Sequence, residues 1–172
     1  MLKKLGIFIL AFTFALSLTP IVNLPSVTAA QNKVKPASLI ALTQKAATKG
    51  QSIHAPFIVN ESTRPIIRTQ WGEPETAYES ARVDFYTSRH FTFSYQYDNQ
   101  WTLATIRDED PQYQTITIKT LLNTLGNSQS IESSGDEKWY IYHAGNYDIA
   151  YVFPSSTKNT TKAKAVVISP AQ

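Results

Sequence analysis

Three histidines, His54, His90 and His143, are the first residues in this sequence to weigh for chemistry. A zinc site needs imidazoles, thiolates or carboxylates converging on one ion. None of the three stands in a His-x-x-x-His or Glu-x-x-His spacing, and the chain has no Cys, so no metal or other cofactor is expected. His90 and His143 fall at the ends of two hairpin-like segments, which could bring them together beside Asp148. The competing reading makes both of them polar residues flanking turns. A hydrolytic triad needs a Ser on a constrained turn with a His and an orienting acid. Ser133-Ser134-Gly135-Asp136 reads instead as a solvated loop, and no Gly-x-Ser-x-Gly occurs. The acidic run Asp108-Glu109-Asp110 lacks the alternating ligand spacing of a calcium loop and reads as a charged linker. No catalytic residue is expected.

The elements that would position any site come from periodicity and punctuation. Phe91, Phe93, Tyr95 and Tyr97 alternate with Thr92, Ser94 and Gln96, the period-2 signature of a half-buried strand. Val83-Asp84-Phe85-Tyr86-Thr87 and Phe91 to Tyr97 align without a gap on Trp139-Tyr140-Ile141-Tyr142-His143 and Tyr147 to Phe153. A short apolar segment ending in Gly precedes each copy, Ile66 to Gly72 and Leu121 to Gly126. Thr63 and Thr117 stand where N-caps belong, and Pro65 suits a first helical turn. The sequence therefore predicts an α+β fold. Two tandem helix-plus-antiparallel-strand units, about 63–110 and 117–169, form one curved six-stranded sheet with helices on one face. An additional helix is expected from about Leu39 to Lys49, with Gly50 as its stop. The expected core comprises Leu42, Ile67, Trp71, Phe85, Phe91, Phe93, Tyr95, Leu103, Leu121, Leu125, Ile141, Ile149 and Tyr151.

Hairpin register decides which side chains face outward, because a one-residue slip reverses every one of them. Three-residue turns at Ser88-Arg89-His90 and Ala144-Gly145-Asn146 put Phe85 with Phe91 and Ile141 with Ile149 in the core. Two-residue turns would bury Asp84 beside Phe91 and Phe93, and an unpaired buried carboxylate is costly. The three-residue register is therefore preferred. It turns Tyr86, Tyr140 and Tyr142 outward with Asp84 and Gln96, together with Thr92, Ser94, Asp148, Ala150 and Val152. Tyrosine offers a rigid apolar ring with a polar tip, which suits a recognition patch. An ordinary solvated sheet face is the alternative, since aromatics also favour strands.

The ends bound the compartment. Lys3-Lys4, the uncharged apolar run from Leu5 to Leu18 and the small residues at Ala29-Ala30 read as a secretory signal over residues 1–30. Pro20, Asn23 and Pro25 interrupt the apolar run before it reaches about 20 residues, so cleavage is expected rather than a retained span. Residues 31–37 read as a flexible lead-in and 38–170 as a single domain. Lys3 and Lys4 contribute two of the 16 basic residues, and no acid precedes residue 31, so the remainder nearly balances the 13 acidic residues. That balance excludes the clustered basic face of a nucleic-acid binder.

The first helix ending in Lys49-Gly50, the Trp71-Gly72-Glu73-Pro74 motif and the later Leu125-Gly126 resemble the secreted YjgB-like proteins of Gram-positive bacteria. Those proteins carry the domain of unknown function numbered 4309, and the likeness runs over roughly residues 38–169. More distantly, the unit of helix, Gly-x-Pro and strands is similar to the repeat of β-lactamase-inhibitor proteins and of small outer-membrane assembly lipoproteins. That resemblance implies a concave antiparallel sheet used for binding proteins, and it brings no catalytic residues. The expected function is that of a secreted, non-enzymatic module binding a secreted or cell-surface protein through its open sheet face. A structural envelope or matrix component is the alternative, as is a hydrolase with a cryptic site near His143.

Overall fold

Local start and stop signals delimit the helices. The computed structural model describes residues 34–155 and 158–172. The expected signal segment, residues 1–30, lies outside the described residues. Helix α1, Pro36–Ala47, begins earlier than the Leu39 start expected, with Pro36 in its first turn, so the end of the proposed lead-in is already helical. Helix α2, Arg64–Trp71, follows Thr63 and stops at Gly72, where φ is +84°. Helix α3, Ile118–Leu125, is capped by Thr117, whose hydroxyl accepts from the Thr120 amide at 3.1 Å. It stops at Gly126. Both short helices thus fall where the sequence puts them.

The six-stranded sheet of two tandem units is overturned. The structure holds one open eight-stranded antiparallel sheet, so the described residues are mostly β with three α-helices. The strands are β1 (Thr76–Tyr78), β2 (Val83–Tyr86), β3 (Phe91–Tyr95), β4 (Leu103–Asp108), β5 (Ser130–Ser134), β6 (Glu137–Ala144), β7 (Tyr147–Pro154) and β8 (Ala165–Pro170). Their order is β1-β2-β3-β4-β8-β7-β6-β5. The two unforeseen strands, β1 and β5, are the edges. Neither has an apolar alternation, because an edge strand exposed along its length has no core to pattern it.

Register is the second correction. The β2–β3 hairpin turns through four residues, Thr87 to His90, and pairs Asp84 with Phe93 and Tyr86 with Phe91. The β6–β7 hairpin turns through Gly145 and Asn146 alone, pairing Tyr142 with Ile149 and Tyr140 with Tyr151. Both have the parity that the sequence argument rejected. Asp84, Tyr86, Tyr140 and Tyr142 therefore face the helices and are buried, while Phe85 and Ile141 face the other way. The desolvation argument holds only for an unpaired carboxylate, and Asp84 is paired (below).

One core lies between the sheet and residues from all three helices, Leu39, Ile40, Ala47, Ile67, Ile118 and Leu121 among them. Of the expected core, Ile67, Phe91, Phe93, Tyr95, Leu103, Leu121, Ile149 and Tyr151 are buried, and Trp71 and Leu125 pack against them partly covered. Leu42 is exposed, on the outer side of α1. Trp71 forms an aromatic hub, its ring 4.9 Å from Phe57, 5.2 Å from Phe91 and 5.6 Å from both Phe93 and Tyr86. No helix among the described residues is long and apolar enough to cross a membrane.

Candidate functional site

Two of the tyrosines expected to form a recognition patch, Tyr86 and Tyr142, hold helices to the sheet instead. The Tyr86 hydroxyl donates to the Gly72 carbonyl at 2.9 Å, and the Tyr142 hydroxyl to the Gly126 carbonyl at 3.1 Å. Each bond satisfies a carbonyl where a short helix ends, which is where helical carbonyls lack partners. Burial pushes both phenols up to about 12. Tyr140 sets its ring edge-on to Phe153 at 5.4 Å. Gln96 lies beyond β3, its side-chain amide donating to Asn60 Oδ1 at 2.7 Å.

Asp84 anchors a charged cluster inside the core. Arg64 donates to it through Nε (2.9 Å) and Nη2 (2.6 Å), and Arg68 through Nη2 (3.1 Å). The Tyr95 hydroxyl donates to the same carboxylate at 3.2 Å. Burial pushes the Asp84 carboxyl up, but the two guanidinium groups outweigh it and hold it below its ordinary value. The Arg64 guanidinium also lies 4.2 Å over the Trp101 ring. With every charge matched, this cluster binds helix α2 to the sheet and leaves no group for a ligand.

A second cluster surrounds Asp108, which the sequence reads as part of a charged linker. It is the fully buried last residue of β4. Its carboxylate accepts from the Ser52 and Tyr113 hydroxyls, the latter at 3.0 Å, and contacts His54 Nδ1 at 2.8 Å. Ser, His and Asp are all present, yet they are wired differently from a triad. The Ser52 hydroxyl donates to the carboxylate rather than to the imidazole, and His54 Nε2 stands 4.0 Å from Asp110 Oδ2. No imidazole is in position to take the serine proton, so the Ser–His step of a triad is missing. His90 and His143 are not brought together, since β3 and β6 are separated by β4, β8 and β7. His143 does meet Asp148, Nδ1 to Oδ1 at 2.6 Å, across the β6–β7 ladder.

The sheet face away from the helices carries the strongest feature for binding. Ala150, Val152, Ala165 and Val167 form a second apolar cluster there, buried under Trp139 and Ile141. Beside it runs a groove of about 160 Å³, lined by Trp139, Ile141, Ala150 and Val167, with Glu132 and Asp148 among its polar residues. The β6 alternation sends Trp139 and Ile141 to this side, and Ala150 opposite Ile141 leaves the hollow between them. An ion-paired group stands next to Trp139, whose indole N–H donates to Glu137 at 3.3 Å. Arg107 donates to Glu137 at 2.7 Å and Lys164 approaches it at 3.1 Å. The Arg107 hydrogen bond, with help from Lys164, lowers the Glu137 carboxyl to about 2. A wider hollow of about 380 Å³ lined by Glu109, Gln114, Lys162, Ala163 and Lys164 offers less, because no aromatic or large apolar side chain lines it, and Glu109 and Lys164 are already paired with Arg107 and Glu137.

Sequence reasoning placed Asp148, Ala150 and Val152 on the open face and missed Trp139 and Ile141. A parity check on the Gly145-Asn146 turn is the signal that separates them.

The family model described as a domain of unknown function, DUF4309, matches residues 41–168. No curated protein matches the chain. Among solved structures, the crystal structure of a DUF4309 family protein (YjgB) from Bacillus subtilis is similar, with a TM-score of 0.66 and 22% identity. The match covers 80% of this chain and 99% of that one, and it shows a shared fold.

Proposed function

The chain belongs to the DUF4309 family, domains of unknown function, and we propose that it is an exported, non-enzymatic protein that binds a protein partner through the open face of its sheet. The observation that carries this reading is the apolar cluster and groove beside Trp139 and Ile141, on the face that no helix of the described residues covers. Apolar floors ringed by polar groups are where large aromatic anchors and their counterparts concentrate binding energy. The Ser52–Asp108–His54 arrangement lacks the Ser–His hydrogen bond of a hydrolytic triad, which supports the non-enzymatic side. Export rests on Lys3-Lys4, the Leu5–Leu18 run and Ala29-Ala30.

The test uses the purified protein as bait against extracellular and cell-surface proteins of the producing organism, followed by affinity measurement with the identified partner. Trp139→Ala and Ile141→Ser should each weaken binding by about 2 kcal/mol, roughly thirtyfold, with thermal unfolding recorded to confirm that each variant folds. His143→Ala is the control for the enzyme alternative, which predicts that this change alone abolishes activity. Undiminished affinity in a folded Trp139/Ile141 double variant would remove the open-face reading.

A further inference from the structure

Resting on the open-face reading, we infer that the groove receives a Lys or Arg side chain presented by the partner polypeptide. Size comes first. Sites for small molecules run to about 300–1,000 Å³, and a groove of about 160 Å³ suits one long side chain rather than a ring system or an acyl chain. Its lining is mixed: Ala150, Val167, Trp139 and Ile141 supply an apolar wall, and polar side chains, Glu132 among them, supply the rest. Lysine and arginine bury an aliphatic stem along such a surface while the charged head stays at a polar rim.

Charge then selects the head group. No Lys or Arg lines the groove, whereas two carboxylates, Glu132 and Asp148, do. Asp148 is already engaged, by His143 at 2.6 Å and by the Gln172 amide at 3.4 Å. Glu132, on β5 and directly opposite Trp139, has no ion pair among the described residues. The cations of this face cannot answer it, because Arg107 and Lys164 are held by Glu109 and Glu137. Glu132 is thus the unmatched charge beside an apolar wall. The hydroxyls of Ser130 and Ser169 and the amides of Gln129 and Gln172 add acceptors for the remaining N–H groups of an ammonium or guanidinium. An acidic or neutral side chain would leave Glu132 repelled or unanswered.

Three acetylated, amidated Ser/Thr octapeptides with Lys, Gln or Glu at the centre test this by calorimetric titration of the full-length secreted protein. Chitotetraose serves as a neutral ligand able to stack on Trp139. The Lys peptide should bind at least tenfold tighter than the Gln or Glu peptide, and its affinity should fall as salt rises. Glu132→Gln, an exposed change that leaves the fold intact, should reduce that preference severalfold. Equal binding of the three peptides, an unchanged preference in Glu132→Gln, or binding of chitotetraose alone would overturn the inference. So would failure of every peptide to bind. If capture of a partner then still depends on Trp139, the open-face reading stands without this one. A Lys-peptide preference insensitive to Trp139→Ala would instead count against that reading.

Discussion

Arg64 and Asp84 face each other through two parallel hydrogen bonds, Nε to Oδ2 at 2.9 Å and Nη2 to Oδ1 at 2.6 Å, beneath the sheet. Their side chains are 8% and 0% exposed. This fork is what lets the β2–β3 hairpin adopt a register that places a carboxylate on the core side. Arg68 adds a second guanidinium and Trp101 a ring over the first.

Removing one partner of such a pair leaves the other charge buried. Asp84→Ala should therefore cost about 3–5 kcal/mol, whereas replacing Arg64 and Asp84 together by well-packed apolar residues should cost much less. Denaturant unfolding of the single and double variants measures both. A loss below about 1 kcal/mol for Asp84→Ala would show that the pair does not hold the register.

Gly50 closes α1 against β7. Its φ is +68°, and a Cβ there would stand 2.6 Å from Tyr147 Cζ. Gly126 has a comparable φ of +78° but nothing within 4 Å of an added Cβ. Gly126→Ala should then carry only the backbone penalty of its φ of +78° and ψ of −159°, of the order of 1–3 kcal/mol, and Gly50→Ala its own backbone penalty plus displacement of the Tyr147 ring. A Gly50→Ala loss that is unchanged in a Tyr147→Ala background would refute the steric component.

What the sequence made legible divides along physical lines. Helix ends were readable because Thr117 caps, Pro65 suits a first turn, and Gly72 and Gly126 take positive φ, all of which act locally. The core strands were readable because Phe91, Phe93 and Tyr95 alternate against one buried face. The edges β1 and β5 were not, having no buried face to impose a pattern. Register failed for a different reason. The cost of burying Asp84 was judged without Arg64, which stands 20 residues away and meets it only once α2 docks. Trp139 and Ile141 were lost with that parity, and the groove with them.

Export makes a prediction at the N-terminus. With Lys3-Lys4, the Leu5–Leu18 run and Ala29-Ala30 as motivation, the secreted protein should begin at or next to residue 30. Intact-mass measurement of protein recovered from culture medium decides it, and a chain still starting near Met1 would refute cleavage.

The pH dependence of stability should have two limbs of opposite sign. Glu137 is lowered from 4.5 to about 2, first by the Arg107 hydrogen bond. Its contribution is thus complete above about 4.5 and disappears as pH falls toward 2. Asp84, also held below its ordinary value, acts in the same direction. His54 acts oppositely. Burial works against its charge, but the hydrogen bond and charge of Asp108, with help from Asp110, raise it above 6.5. The folded state therefore binds the His54 proton more tightly than the unfolded chain. That stabilisation is fully present below 6.5 and is lost as pH rises through the raised value. Stability measured by urea unfolding should peak between about pH 4.5 and 6.5 and decline on both sides. His54→Gln should flatten the alkaline limb and spare the acid one, while Glu137→Gln should do the reverse. An alkaline decline that persists unchanged in His54→Gln would mean that the Asp108 cluster does not hold loop 51–59 through a protonated imidazole.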